Sequence, residues 1–368
     1  MKKQIDWPVA LFLILNPIFG ITLFFIYIYF FDTSWIMWIS FLIFAAVTNL
    51  SITAGYHRLF AHRSYETTGL MKFLLVLFGS SAFQGSALKW ASDHRRHHSH
   101  IDTEKDPYSI KKGFWYAHIG WLFFKDSVDL EIKAPDLEKD RLLQHQNKYY
   151  VWWAIATGFV LPTLIGLAFG APLGGLIILG SLRIFVTQQS TFFVNSLCHT
   201  LGEQTYSKEI SARDSFIVAV LTHGEGYHNF HHQFQIDYRN GIKWYHWDPT
   251  KWTIQIMKIF GMAKKLRTIP PQEILKARLN AEAKWLETKG ISVEKVEALK
   301  VKILEAQIKV KKFKEEYALR KEDWKNSSKE KWNEIQIQVA ELKLNIQKAK
   351  SDFNFALKEW QLVTQQFA

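Results

Sequence analysis

The chain has 368 residues, enough for two or three domains, and carries a net charge of +12 with a pI near 9.4. Its single cysteine, Cys198, excludes an internal disulfide, a thiolate zinc site and a cysteine-held iron–sulfur cluster, so a metal must be held by His, Asp or Glu. No nucleic-acid module accompanies the positive charge, which points instead to anionic lipid headgroups or an anionic acyl carrier.

The mean hydropathy of −0.08 hides two unlike parts. Long apolar runs fill the first two hundred or so residues, and the 15 Trp and 28 Phe suit a protein anchored at membrane interfaces. Residues 9–31 are long enough to cross ~30 Å of hydrocarbon as a helix. Met1-Lys2-Lys3 precedes them, which predicts a cytoplasmic N-terminus, and the stretch is too long and aromatic for a cleaved signal. The polar turn Asp32-Thr33-Ser34 leads to a second span at 35–54. Two more spans, 151–170 and 173–194, flank Gly170-Ala171-Pro172. The expected fold is an all-α integral membrane protein with four transmembrane helices in two hairpins and both termini cytoplasmic.

Residues 70–88 are apolar enough for a fifth span, but Gly79-Ser80-Ser81, Gln84 and Ser86 interrupt them. A crossing there would place the histidines before and after it on opposite sides of the membrane. The segment is therefore read as interfacial or re-entrant, and residues 114–124 as interfacial.

Three histidine clusters follow the spans: His57 with His62, then His94, His97 and His98, then His228, His231 and His232. The second and third share the spacing H-x-x-H-H. On a helix these positions lie about one turn apart on one face, which aims all three rings into one cavity. The five-residue step of the first cluster swings its second ring about 140° away on an ideal α-helix. That cluster is expected to straddle a helix end, its rings approaching from different sides. Eight imidazoles are too many for one ion and enough for two, and imidazole suits Fe, Zn and Cu rather than Mg or Ca. A lone pair of histidines is more often structural; three clusters at the ends of spans reverse that weighting. The string Glu225-Gly226-Tyr227-His228 occurs once, which disfavours a carboxylate-bridged site built from paired Glu-x-x-His motifs.

The membrane domain is expected over 1–280, and a polar tail over 281–368. Val296, Leu299, Ile303, Ala306, Val310, Phe313 and Tyr317 step 3-4-3-4, and Ile335, Val339, Leu342, Ile346, Ala349, Phe353 and Trp360 form a second seam. With Asn326-Ser327-Ser328 as the turn, the tail reads as an antiparallel helical hairpin. It packs on itself or on another chain, serving as a homo-oligomer contact or a docking site for an electron donor.

The boxes and their surroundings resemble the membrane fatty acid desaturase family, in its stearoyl-CoA Δ9-type branch. Gly55-Tyr56-His57, Asp93-His94, Asp102-Thr103 with Asp106-Pro107, His118 to Trp121, Asn195 to His199, Gly224 to His232, Tyr238 to Trp244 and Asp248 to Trp252 all look like family signatures, over roughly residues 8–275. The resemblance implies two irons, ferrous when reduced, bound by nine histidines: the eight of the boxes plus His199. It also implies an Asn195 contact through water. Asp93 and Glu225, with Asp102 and Asp106, are cast as outer partners that orient imidazole N–H groups; the bland alternative is surface charge or helix capping.

The implied reaction is O₂-dependent introduction of a cis double bond, at Δ9, into a long-chain fatty acyl substrate. Acyl-CoA is the expected form, although Ser92 stands where animal relatives have a CoA-binding arginine. Electrons are expected from a separate donor of ferredoxin, rubredoxin or cytochrome b5 type, at a basic surface of Arg95, Arg96, Lys111 and Lys112. A bacterial inner membrane is the expected location. The alternatives are a hydroxylase or alkane monooxygenase with the same histidine chemistry, and a non-catalytic transporter or metal sensor. The position of the histidines beside the spans, rather than at mid-membrane, disfavours the last.

Overall fold

A computed structural model describes residues 4–125, 134–327 and 331–367; Met1-Lys2-Lys3 and Ser328 lie outside them. The chain divides into two compact units, Met1–Gln204 with Glu209–Ile269, and Thr205–Lys208 with Pro270–Ala368.

Among the described residues, four helices of the first unit are long and apolar enough to cross a membrane: Trp7–Phe30, Trp35–Ala61, Tyr150–Ala168 and Pro172–His199. Ser34 starts the second by accepting the Met37 N–H, and Pro172 stands in the first turn of the fourth, where its missing N–H costs nothing. Tyr29, Phe30, Trp35 and Leu42 are exposed on the outer surface, as residues that face lipid must be. Inside, the contacts use small and polar residues, because apolar surface gains nothing by leaving lipid. Ser181 donates to Asn16 Oδ1 at 2.8 Å, joining the first helix to the fourth. A Cβ on Gly166 would lie 2.7 Å from the Cα of Gly175, so the third and fourth helices meet backbone to backbone.

The segment with span-like hydropathy does not span. Gly69–Ser80 is a 12-residue helix, about 18 Å long at 1.5 Å per residue. The chain then turns through Phe83 (φ 53°) and Gly85 (φ 90°) and starts a new helix, Ala87–His100, capped by Ser86. Arg183, fully buried in the fourth span, holds this turn by donating to the Ser81 carbonyl at 3.1 Å and to Thr48 Oγ1 at 3.3 Å. Residues 114–124 are likewise broken, into Phe114–His118 and a 3₁₀ turn at Gly120–Phe123.

Two helices outrun their apolar stretches. Hydropathy ends the second span at 54, yet the helix continues to Ala61; the fourth runs to His199 rather than 194. Both extensions carry histidines, so the first box and His199 stand on prolonged spans. A two-stranded antiparallel pairing, Glu66 with Lys264 and Thr67 with Ala263, ties the chain after the first box to the segment beyond helix Pro249–Ile259.

In the second unit, Val293–Asn326 and Trp332–Gln366 run antiparallel, with Lys302 meeting Glu359. Pro271–Thr288 belongs with them: Leu279, Ala283 and Leu286 pack with Val296, Ile303, Ala356 and Trp360. Trp360 is buried and donates its indole N–H to Glu282 at 2.6 Å. The tail is thus a three-helix element rather than a bare hairpin.

Candidate metal centre

The first box lies in a π-helical stretch, Ser51–Ala61, in which each N–H reaches back five residues. The His62 N–H bonds to the His57 carbonyl at 3.1 Å, so a five-residue step is one turn here. His62 caps the end of the helix, where the spacing placed it. The two rings nevertheless enter the same group, because π-winding removes the swing of an ideal α-helix.

The structure gathers His57, His62, His94, His98 and His231 into one group and His97, His199, His228 and His232 into a second. Within each, one ligand atom from every residue lies within 4.8 Å of the others. The H-x-x-H-H boxes do not point into one cavity; each divides. Their i and i+4 histidines share a group (94 with 98, 228 with 232), while the i+3 histidine (97 or 231) enters the other. Positions i+3 and i+4 are turned about 100° from each other around a helix, so one box faces two sites. The two box helices exchange histidines in this way and clasp both groups between them.

Nε2 faces inward throughout. In the first group His57 and His98 both approach His231 at 3.0 Å, and His62 approaches His94 at 2.9 Å. In the second, His232 lies 3.3 Å from His97 and 3.0 Å from His228. The outer nitrogens show what the inner ones carry. His57 Nδ1 is 3.0 Å from Glu225 Oε2, and His97 Nδ1 is 2.9 Å from Asp106 Oδ1. A carboxylate only accepts, so each Nδ1 carries the proton and each Nε2 a lone pair. His199 Nε2 is buried with no hydrogen-bond partner among the described residues. Lone pairs converging in a buried space are what a cation would satisfy.

Burial, reinforced by neighbouring imidazoles, holds His62, His94, His98, His228, His231 and His232 well below the usual histidine range. They are therefore neutral at physiological pH, the form in which imidazole binds metal.

Glu225 is itself anchored. Burial alone would raise its carboxyl, but Arg58 and His57 overcome that and bring it to about 2. Its Oε1 accepts from Arg58 at 2.8 Å and its Oε2 also accepts from Asn240 at 2.7 Å. With both oxygens engaged, Glu225 orients His57. Asp106 is held below the usual range by His97 despite its burial. Asp102 reaches His199 through Ser211, at 2.6 and 2.7 Å. Asp93 meets no imidazole among the described contacts; it pairs with Lys89 at 2.9 Å and Arg96 at 3.6 Å. Read from the sequence, Asp93 joins Glu225, Asp102 and Asp106 as an imidazole partner, but it neighbours His94 on a helix whose successive positions point about 100° apart.

Asn195 is half-buried one turn before His199. Of the remaining histidines, His118 is bonded on both ring nitrogens, to Ser196 at 2.9 Å and Gln189 at 3.0 Å. His100 approaches the Arg96 carbonyl, and His246 stacks on Tyr227.

Arg95 and Arg96 do not form the expected basic surface. Arg95 binds both oxygens of Asp136 and the carbonyls of Phe60 and Ala61, and Arg96 is buried. Sequence reading also passed over Ser211, Tyr108 (3.2 Å from His94 Nδ1) and the buried Arg58. No spacing signals the first two, and Arg58 reads as an ordinary cation after a span. The Gly-Glu-Gly string has a steric reason: a Cβ on Gly226 would lie 2.0 Å from the Ala219 backbone N.

A profile of the fatty acid desaturase family matches residues 33–255, the stretch that brings all nine histidines together. The chain belongs to the fatty acid desaturase family. It is 42% identical over 251 residues to acyl-CoA desaturase 1 of Saccharomyces cerevisiae, covering 67% of this chain and 49% of that protein. It is 34% identical over 273 residues to the sn-1 stearoyl-lipid 9-desaturase of Anabaena variabilis, covering 72% and 95% respectively. Human stearoyl-CoA desaturase 5 is 37% identical over 238 residues, 62% of this chain and 72% of the relative. The chain spans about half the length of its yeast relatives. The histidine-bearing segments belong to a mostly helical scaffold with four helices long and apolar enough to cross a membrane, and the two groups are able to hold metal ions.

Proposed function

We propose that this chain is an O₂-dependent fatty acyl desaturase whose two irons are held by His57, His62, His94, His98 and His231, and by His97, His199, His228 and His232 with Asn195 acting through water. The observation that carries this reading is the division of nine inward-facing imidazoles into two adjacent groups in a member of this family. Five nitrogen donors in one group exceed the four of a closed zinc site, and thiolate is lacking from both. Neutral nitrogen ligands suit iron.

Iron held there, reduced from outside and supplied with O₂, would supply the oxidising power for removal of two vicinal hydrogens from a saturated chain; the balance would be two electrons, two protons and O₂ in, two waters out. The chain's own residues hold the rings. Glu225, Asp106 and the Ser211–Asp102 pair fix Nδ1–H on three of them, and burial keeps the site dry. The substrate is a long-chain acyl group, as acyl-CoA, with the double bond placed at Δ9. The named activities of the yeast, human and cyanobacterial relatives support that class. The donor is a separate ferredoxin, rubredoxin or cytochrome b5 type protein, and the histidines face the cytoplasm of a bacterial cell.

Feeding perdeuterated stearate to a desaturase-deficient host that makes this chain tests the reaction. The expected product is a monoene that has lost two deuterium atoms, with the double bond at carbon 9. A product that has lost one deuterium and gained oxygen would assign the chain to the hydroxylases instead.

A further inference from the structure

His199 is secured differently from His57 and His97, each of which meets a carboxylate directly. A member of the second group, it stands at the end of a prolonged span, and its Nδ1 meets the hydroxyl of Ser211 at 2.7 Å. Ser211 is bonded twice to Asp102: its N–H donates to Oδ2 at 2.7 Å and its hydroxyl lies 2.6 Å from Oδ1. Asp102 has a left-handed backbone (φ 60°), and its N–H donates to Asp106 Oδ2 at 3.1 Å. Asp106 in turn holds His97, the neighbour of His199 in the group. One short loop, 102–106, therefore controls two of the four rings of this group, one directly and one through Ser211.

The direction of each bond follows from chemistry. The carboxylate of Asp102 accepts only, so the single hydroxyl proton of Ser211 goes to Asp102. Ser211 Oγ is left with lone pairs alone and must accept from His199 Nδ1–H. The His199 tautomer is thereby set, and its Nε2, buried with no partner among the described residues, presents a lone pair to the group.

Resting on the metal-binding reading above, we infer that Ser211, polarised by Asp102, is the positioning residue of the second metal site, selecting Nε2 of His199 as the ligand. Removing the hydroxyl leaves the Ser211 N–H bond to Asp102 in place, so Ser211→Ala retains the loop's backbone link while freeing the His199 ring. Ser211→Thr restores the hydroxyl. Asp102→Asn keeps the size of the side chain but turns one of its two acceptors into a donor; with the remaining oxygen taking the Ser211 N–H, the amide donates to Ser211 Oγ, which then donates to His199 and moves the ring proton to Nε2.

The test is iron content and Mössbauer spectra of the full chain, purified in detergent, for wild type and the three variants. Wild type is expected to hold two irons per chain, Ser211→Ala and Asp102→Asn one, and Ser211→Thr two. In chelator competition after reconstitution with excess ferrous iron, the iron of the second site is expected to be released about 10–100-fold more readily from Ser211→Ala, the usual effect of removing a ligand's hydrogen-bond partner. Two irons with an unchanged spectrum in Ser211→Ala overturn the inference, as does a loss in Ser211→Thr equal to that in Ser211→Ala. Should Ser211→Ala fail to fold, Asp102→Asn decides by the same count. A wild-type chain lacking two irons overturns the metal-binding reading itself, an outcome distinct from the other two.

Discussion

Replacing His231 by Ala is expected to cut unsaturated product by more than about 100-fold, since removing even the outer partner of a metal ligand costs about 10–100-fold. His231 is 1% exposed, and its Nε2 lies 3.0 Å from those of both His57 and His98. No other ring of the first group has two such contacts among the described hydrogen bonds. Alanine removes the nitrogen ligand at a buried position. His100→Ala is the control: this residue bonds to the Arg96 carbonyl and belongs to neither group. Gas chromatography of fatty acids from a desaturase-deficient host carrying each variant reads the difference. Wild-type product from His231→Ala would remove that residue from the centre.

Glu225→Leu is expected to destabilise the chain by about 3–5 kcal/mol, the cost of breaking a buried ion pair from one side. Three buried donors lose an acceptor together: Arg58, His57 Nδ1 and Asn240 Nδ2. Asp248 stays within 3.0 Å of Arg58 and the Tyr238 carbonyl at 2.8 Å, so the cation keeps one carboxylate and one carbonyl but loses the second carboxylate. The double variant Arg58→Met with Glu225→Leu is expected to recover none of the loss, because removing Arg58 leaves the buried Asp248 carboxylate without its cation. Thermal unfolding in detergent measures both. Equal stability of Glu225→Leu and wild type would show that the network around Arg58 contributes nothing to the fold.

The sequence made the scaffold legible because lipid imposes a plain rule: apolar runs of about 20 residues cross as helices. Four such runs are four helices, and the short breaks at Asp32-Thr33-Ser34 and Gly170-Ala171 fall between them. The ends were less legible. Hydropathy reports where side chains stop being apolar, whereas a helix stops where backbone hydrogen bonding does, and the second and fourth helices run on into the histidines.

The site shows the same division. Eight histidines were evident from residue type and clustering, but His199 has no box spacing and was suggested only by family resemblance. The allocation of rings to two groups was not legible either. It depends on π-winding at Ser51–Ala61 and on how two box helices face each other, which are properties of packing. Glu225 and Asp93 each adjoin a box, yet one holds His57 and the other turns to Lys89. Adjacency in the chain does not distinguish them; Glu225 lies in the turn before its box helix, whereas Asp93 stands on a helix and meets Lys89 and Arg96.

The central claim, two irons on nine histidines, is tested most directly by counting metal in the purified full-length chain against protein concentration. Two irons per chain, with no more than traces of zinc, is the predicted result. A single zinc, or one iron that His97→Ala leaves in place, would contradict it.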